Sequence, residues 1–367
     1  MTASNPQPPT SGPDAIVITG LGVVLPCGDG IEAARASFAS DSPTFTPLPA
    51  HLGTGLGGVC TGFAPAGIIP PMALRRLDRP SRYAWVATHQ AFADAGIDPK
   101  AAGEGIGIAV GSSTAGNEAG EAFIGPYFER GPEGASPMVF PNCVANAASG
   151  HLSIAFGLRG PCATLVDREN ATLLALEQGC RWLRSGQAEL ILLIGTDGLF
   201  PLQVQLLKGV RRMAAAPPRA GADTGLLPGE GAQAFILETA AHAAARGARI
   251  RARLGGFAES AGLGESRAHR REALARAVEE LGAITPERWI GGSSGLATLD
   301  EVELPLVAGH LAWPAPRHPK LLWGEFAGSG GQLLAAALLE PSATVLITAP
   351  SSAGPQVAMV LEAVAKA

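Results

Sequence analysis

A layered α/β fold is what this 367-residue sequence predicts, and three observations predict it. Short apolar segments of strand length recur along the chain, and segments with apolar residues at helical spacing fall between them. The chain is 47% hydrophobic and only 16% charged, so it can bury a large core. Strands alternating with helices argue for largely parallel sheets, and the length fits two or three domains or, equally, two packed halves forming one body.

Met1 to Pro13 are rich in Pro, Ser and Thr without a basic start or an apolar run, so residues 1–14 read as a disordered tail and not as a signal peptide. Ala15–Gly20 is rich in β-branched residues and ends in glycine, which predicts a first buried strand. Ser81–Ala95 has helical spacing, with Ser81 placed to cap it and Gly96 to close it. Ile106–Val110 and Glu189–Gly195 are continuous apolar runs of the kind buried on both faces of a sheet. Between them, Asn170–Leu183 is apolar almost all round (Leu173, Leu174, Leu176, Trp182), the pattern of a central buried helix. Ala234–Leu237 and Ile250–Leu254 read as strands flanking a helix over Ala240–Arg246. Arg267–Leu281 reads as an amphipathic helix leading to a strand at Trp289–Gly292. A small-residue helix from Gly328 to Leu338 and strands at Ala343–Thr348 and Gln356–Leu361 complete the chain. Ala, Pro and Gly dominate Ala214–Gly225, and the halves are divided shortly after it, into residues 15–240 and 241–367.

The net charge of −5 comes without a basic cluster and aromatics are only 5%, which argues against a nucleic-acid surface. The longest apolar runs, such as Leu190–Gly195, are too short to span a membrane. The five cysteines, Cys27, Cys60, Cys143, Cys162 and Cys180, are widely spaced with no CxxC pair, so neither a metal site nor a disulfide framework is expected. Reduced thiols fit a cytoplasmic protein. Gly229-Glu230-Gly231 lacks the G-x-G-x-x-G spacing of a dinucleotide site, and no cofactor is expected.

Six segments in one order carry a resemblance. They are Val17-Ile18-Thr19-Gly20-Leu21-Gly22-Val23-Val24, Leu77-Asp78-Arg79, the helix ending Ala91-Phe92-Ala93-Asp94-Ala95-Gly96, the set Pro141, Asn146, Gly150 and His151, then Gly157–Pro161 and Gly229-Glu230-Gly231-Ala232. Together they resemble the ketosynthases, the condensing enzymes of fatty-acid and polyketide assembly. The resemblance implies a thiolase-like five-layered αβαβα fold made of two similar halves, and a dimer.

The family's chemistry uses a cysteine thiolate at the N-terminus of a buried helix and two histidines that polarise the extender thioester. Eight residues after Pro161, Glu169 stands at the cysteine position. The first histidine motif, H-G-T-x-T, corresponds to Ser294-Gly295-Leu296-Ala297-Thr298, so Ser294 replaces that histidine. The second, K-x-x-x-G-H, corresponds to Lys320–Glu325, with Lys320 retained and Glu325 at the histidine. A glutamyl acyl adduct would be a labile mixed anhydride, so the resemblance implies no catalytic residue. Glu169 is expected as a structural cap near the helix N-terminus, paired with Arg168 or Lys320, and near Glu325. The family's gating loop corresponds to Pro350-Ser351-Ser352-Ala353-Gly354, and the segment from Leu206 to Gly229 is short.

Within the family, this pattern resembles the chain length factor, an inactive subunit paired with an active ketosynthase, although Glu169 departs from the usual glutamine. The trimmed loops resemble subunits of aryl-polyene systems. The resemblance implies that Ala163, Thr164, Leu165 and Val166 form a strand pairing across the dimer axis, and that Met138, Val139, Phe140 and Cys143 shape the acyl tunnel. It further implies an active ketosynthase partner, acyl carrier protein reached through the complex, and no contact with nucleic acid or membrane. The rival expectation is a divergent acyltransferase or decarboxylase acting on acyl carrier protein thioesters. His151 reads as a core or interface residue, His310 and His318 as loop or surface residues, and Cys143 and Cys162 as small buried residues.

Overall fold

The computed structural model describes residues 12–262, 266–326 and 328–364, so most of the expected tail lies outside the described residues. Pro13, within that expected tail, accepts a hydrogen bond from the Ala241 amide (2.9 Å).

Strand β1 (Ile16–Leu25) is buried throughout and runs past Gly20, where the sequence suggested it would stop. The reason is close packing. A Cβ on Gly20 would strike the carbonyl of Ala91 and one on Gly22 that of Ala87, so these glycines let helix α1 (Arg79–Ala95) lie against the strand. Asp78 caps α1, accepting from the Ser81 amide at 3.1 Å, so the capping residue is Asp78 and not Ser81. Gly96 closes it at φ 65, as expected of glycine.

The first half continues with β2 (Ile106–Ser112), helices α2 (Asn117–Arg130) and α3 (Ala147–Phe156), edge strand β3 (Cys162–Val166), helix α4 (Ala171–Arg184), β4 (Leu190–Asp197) and β5 (Gly231–Thr239). The second half brings β6 (Ala252–Ser260), α5 (Arg267–Glu280), β7 (Arg288–Gly291), α6 (Ala297–Gly309), α7 (Ser329–Leu339), β8 (Thr344–Ala349) and β9 (Gln356–Glu362). The strands lie in the order β7-β8-β9-β6-β1-β5-β4-β2-β3.

Within that order one pattern occurs twice. In the first half, β2 is parallel to β4, β4 antiparallel to β5, and β5 antiparallel to β1. In the second, β7 is parallel to β8, β8 antiparallel to β9, and β9 antiparallel to β6. The halves meet through the short antiparallel pairing of Val17 and Ile18 with Arg253 and Ala252. The expectation of largely parallel sheets is therefore corrected. Alternation of strands and helices did not reveal that β5 and β9 enter their sheets in the reverse sense.

Three cores define five layers. One cluster packs α1 and α3 on the outer face of the first half-sheet (Tyr83, Val86, Phe92, Leu152, Phe156). The central cluster joins α4 and α7 between the half-sheets (Leu173, Leu176, Leu333, Leu334), and a third covers the far face with α5 and α6 (Leu274, Val278, Val302, Leu306). Burial of this extent, at roughly 25 cal/mol per Å² of apolar surface, is the main force holding the layers.

Candidate functional site

The N-terminus of α4 is where β3 gives way to the central helix. Gly111 on β2 allows this approach, because a Cβ there would meet the backbone of Thr172. Asn170 is the N-cap residue, but its side chain makes no capping bond. It reaches out of the helix, its Nδ2 donating to the carbonyls of Ala349 (2.8 Å) and Pro355 (2.9 Å).

Glu169 likewise turns away from the helix. Its carboxylate accepts from Ser352 Oγ (2.8 Å), Ser352 N (3.1 Å) and Ser351 Oγ (3.1 Å). Arg168 Nη1 donates to the same Ser352 hydroxyl (3.2 Å), and Arg270 of α5 donates to the Ser352 carbonyl (3.1 Å). The expectation of a helix cap is corrected: the carboxylate grips the turn between β8 and β9. That turn is braced from its other side by Gln356, which accepts from Ser351 N (2.8 Å) and donates to Ser351 O (3.1 Å).

Glu325 has a different partner. Its Oε2 lies 3.0 Å from Lys320 Nζ, in a pair whose side chains are 11% and 1% exposed. Its backbone is stitched to the Gly229-Glu230 turn, with Glu325 N donating to Leu227 O (2.8 Å) and Gly229 N to Glu325 O (2.9 Å). A buried ammonium without a counter-charge would be costly, and the Glu325 carboxylate lies where it offsets that cost.

Ser294 sits in the loop between β7 and α6, held by two carboxylates of that helix. Asp300 accepts from Ser294 N (2.8 Å) and from Gly221 N (2.7 Å) of the shortened segment. Glu303 accepts from Gly292 N (2.9 Å), Ser293 N (3.0 Å) and Ser293 Oγ (2.6 Å). The Ser294 hydroxyl is buried, with no hydrogen-bond partner among the described residues. It has neither the ring nor the protonation chemistry of the histidine whose place the motif reading assigns to it.

The family model for the N-terminal domain of beta-ketoacyl synthases matches residues 14–243. The chain belongs to the beta-ketoacyl synthase family. Among curated relatives, the tetracenomycin polyketide synthase ketoacyl synthase beta subunit of Streptomyces glaucescens is 30% identical over 90% of this chain and 86% of its own length. A putative polyketide beta-ketoacyl synthase 2 of Streptomyces coelicolor is 28% identical over 90% of this chain and 82% of its own length. Of solved structures, the ishigamide ketosynthase/chain length factor superposes with a TM-score of 0.84 at 20% identity, covering 95% of this chain and 99% of that one. A beta-ketoacyl synthase from Burkholderia phymatum gives 0.80 at 20% identity, with the same coverage. The five-layered thiolase-like fold read from the sequence is the fold of these ketosynthases.

Several segments that carried the resemblance act together in this ketosynthase-family chain. Glu230 is fully buried and accepts from Arg79, from Cys60 N (3.1 Å) and from Leu199 N (3.2 Å), so the Leu77-Asp78-Arg79 and Gly229–Ala232 motifs form one knot. Glu118 of α2 lies beside it, and burial, reinforced by the charge of Asp78, pushes its carboxyl up to about 7. Asp197, at the end of β4, accepts from Ser112 Oγ (2.6 Å), Thr114 N (2.9 Å), Thr114 Oγ1 (2.6 Å) and Gly328 N (2.6 Å), pinning the start of α7 to the first half-sheet. Full burial still leaves its carboxyl above the ordinary aspartate range.

His151 contacts Asn142 Oδ1 (2.7 Å) through Nε2, and burial holds its ring below the usual histidine value. His310 stacks on Trp313 at 3.9 Å. His318 lies on a loop, as expected, but away from the surface: its side chain is 10% exposed and faces Glu303, because that loop folds over β7. Burial raises the thiols of Cys60, Cys143, Cys27 (to about 11) and Cys180 (to about 12), leaving them poor nucleophiles. Cys162, expected to be buried, is exposed on β3, and Cys143 is only half-buried.

Among the described residues, strand β3 is the free end of the sheet, paired only with β2, and Ala163, Thr164 and Leu165 are half-buried on it while Val166 is exposed. Met138, Phe140, Val144 and Ile154 lie exposed nearby, Val139 is half-buried, and Phe140 packs on Phe123 at 5.4 Å. Sequence reading named Ser351 and Ser352 in the gating loop but not as partners of Glu169, and it missed the roles of Asn170, Asp300 and Glu303. The last two carry a legible signal, since acids three apart beside a Gly-Gly-Ser-Ser-Gly turn suit its free amides.

Proposed function

We propose that this chain is a non-catalytic chain length factor that pairs with an active ketosynthase and shapes the acyl tunnel in type II polyketide biosynthesis. The observation that carries the reading is the state of the three positions aligned with cysteine and two histidines. Glu169 is bonded to the Ser351–Ser352 turn, Glu325 is paired with Lys320, and the buried Ser294 is fixed by its backbone. None offers the thiolate or the imidazoles that the family's chemistry uses. A relative named as a ketoacyl synthase beta subunit and a neighbour named as a ketosynthase/chain length factor support the assignment.

The pairing face is β3 with the exposed apolar residues beside it. An unpaired edge and a bare apolar skin are hazards that a permanent partner removes, typically by burying more than about 2,000 Å². Met138, Val139, Phe140 and Cys143 then line the end of the partner's tunnel, where a larger side chain shortens the product and a smaller one lengthens it. The short segment from Leu206 to Gly229 supports an aryl-polyene system as the setting, and the complex works in the cytoplasm on acyl carrier protein thioesters. We divide the halves at residue 240, just after β5. The test is to mix the purified chain with its cognate active ketosynthase. Co-elution and a change in product length are expected; separate elution with product length unaffected overturns the proposal.

A further inference from the structure

We infer that Glu169 is a latch that holds the Pro350–Pro355 turn shut over the N-terminus of α4, so that this subunit keeps no acyl site of its own. The inference rests on the non-catalytic reading above and adds how the site is closed. Replacing a thiol with any inert side chain would remove the nucleophile. The carboxylate does more, because both its oxygens are engaged by the turn: Oε1 with Ser352 Oγ (2.8 Å), Oε2 with Ser352 N and Ser351 Oγ (both 3.1 Å).

The turn is suited to this grip. Two adjacent serines supply the hydroxyl donors, and Gly354, at φ +88, lets the chain reverse beside Asp167. Asn170 binds both ends of the turn at once, through Ala349 O and Pro355 O. Arg168 and Arg270 add donors on the outer side, to Ser352 Oγ and Ser352 O. Hydrogen bonds to a charged acceptor are stronger than neutral ones, so three on one half-buried carboxylate hold the turn more firmly than neutral contacts would. With the turn held down, a growing chain has room only on the partner's side of the interface, which gives one acyl chain per heterodimer.

Hydrogen exchange on the full chain, without a partner, tests the latch. Glu169→Ala should speed exchange of the Ser352 and Ala353 amides at least tenfold while the amides of β4 stay as protected as in the wild type. Ser351→Ala/Ser352→Ala should speed the same amides several-fold with Glu169 intact, and combining the two changes should add less than the sum of their separate effects. Glu169→Gln, which keeps one acceptor oxygen, serves if the alanine variant does not fold, and should give an intermediate increase. Unchanged exchange in the Glu169 variants, or full additivity in the combination, overturns the latch. These readouts involve no ketosynthase, so a chain that fails to pair would sink the proposed function and leave the latch standing.

Discussion

The two half-sheets repeat one strand pattern, yet they end differently. The first carries β3 beyond β2, an extra edge strand with no counterpart beyond β7 in the second among the described residues. Apolar exposure follows the same division. Among the described residues, every large exposed hydrophobic side chain except Leu311 and Val364 belongs to the first half. The halves therefore share a strand pattern but not a surface, and the proposed partner would cover the first. A second difference lies deeper. The glycines of β1 face helix backbone, whereas Gly255 and Gly256 on β6, its counterpart, face only the side chains of Glu362 and Leu281.

That second contrast gives the largest expected effect. Gly22→Ala drives a methyl group into the Ala87 carbonyl and should cost about 3 kcal/mol or more, because α1 must move off the sheet. Gly255→Ala meets the flexible end of Glu362 and should cost about 1 kcal/mol or less. Denaturant midpoints measure both, and equal costs would break the distinction between the halves.

The exposed face gives the next. Ile154 is 85% exposed beside β3, and Leu311, in the second half, is 87% exposed. Ile154→Asp should weaken pairing with the active ketosynthase by about 100-fold, the scale of an interface hot spot, while Leu311→Asp leaves it within about twofold. Sedimentation of the mixed subunits reads both, and equal losses would remove the asymmetry.

The smallest effect concerns the knot in the first half. Because the folded state raises the Glu118 carboxyl from 4.5 to about 7, it holds that proton more tightly than the unfolded chain. Stability is then greatest below the unfolded value, falls as pH rises through the window between the two, and levels off above it. Asp78 and Glu230 oppose ionisation of Glu118, and Arg79 favours it. Glu118→Gln should raise stability at pH 8 by on the order of 1–3 kcal/mol and leave it unchanged at pH 4. A gain of the same size at both pH values would assign the effect to packing instead.

How much of this was legible in the sequence follows from what each element depends on. Apolar periodicity located α1, α4, β2 and β4 because burial alone fixes them. It placed the end of β1 too early, since glycine in a strand reads as a stop until the helix packed on it is known. It missed the reversed sense of β5 and β9, which is set by pairing across the sheet. At the site, motif spacing identified Glu169, Ser294, Lys320 and Glu325 as the positions of interest. The bonds of Glu169 were not legible, because Ser351 and Ser352 lie 182 and 183 residues from it and meet it only after both half-sheets have formed.

The account turns on where an acyl group is carried. The direct measurement is intact-protein mass spectrometry of the co-purified heterodimer after incubation with acyl and malonyl groups on acyl carrier protein. The account predicts acyl adducts on the ketosynthase partner and none on this chain, and no elongation by this chain alone. An adduct on this chain, or elongation in the partner's absence, would contradict it.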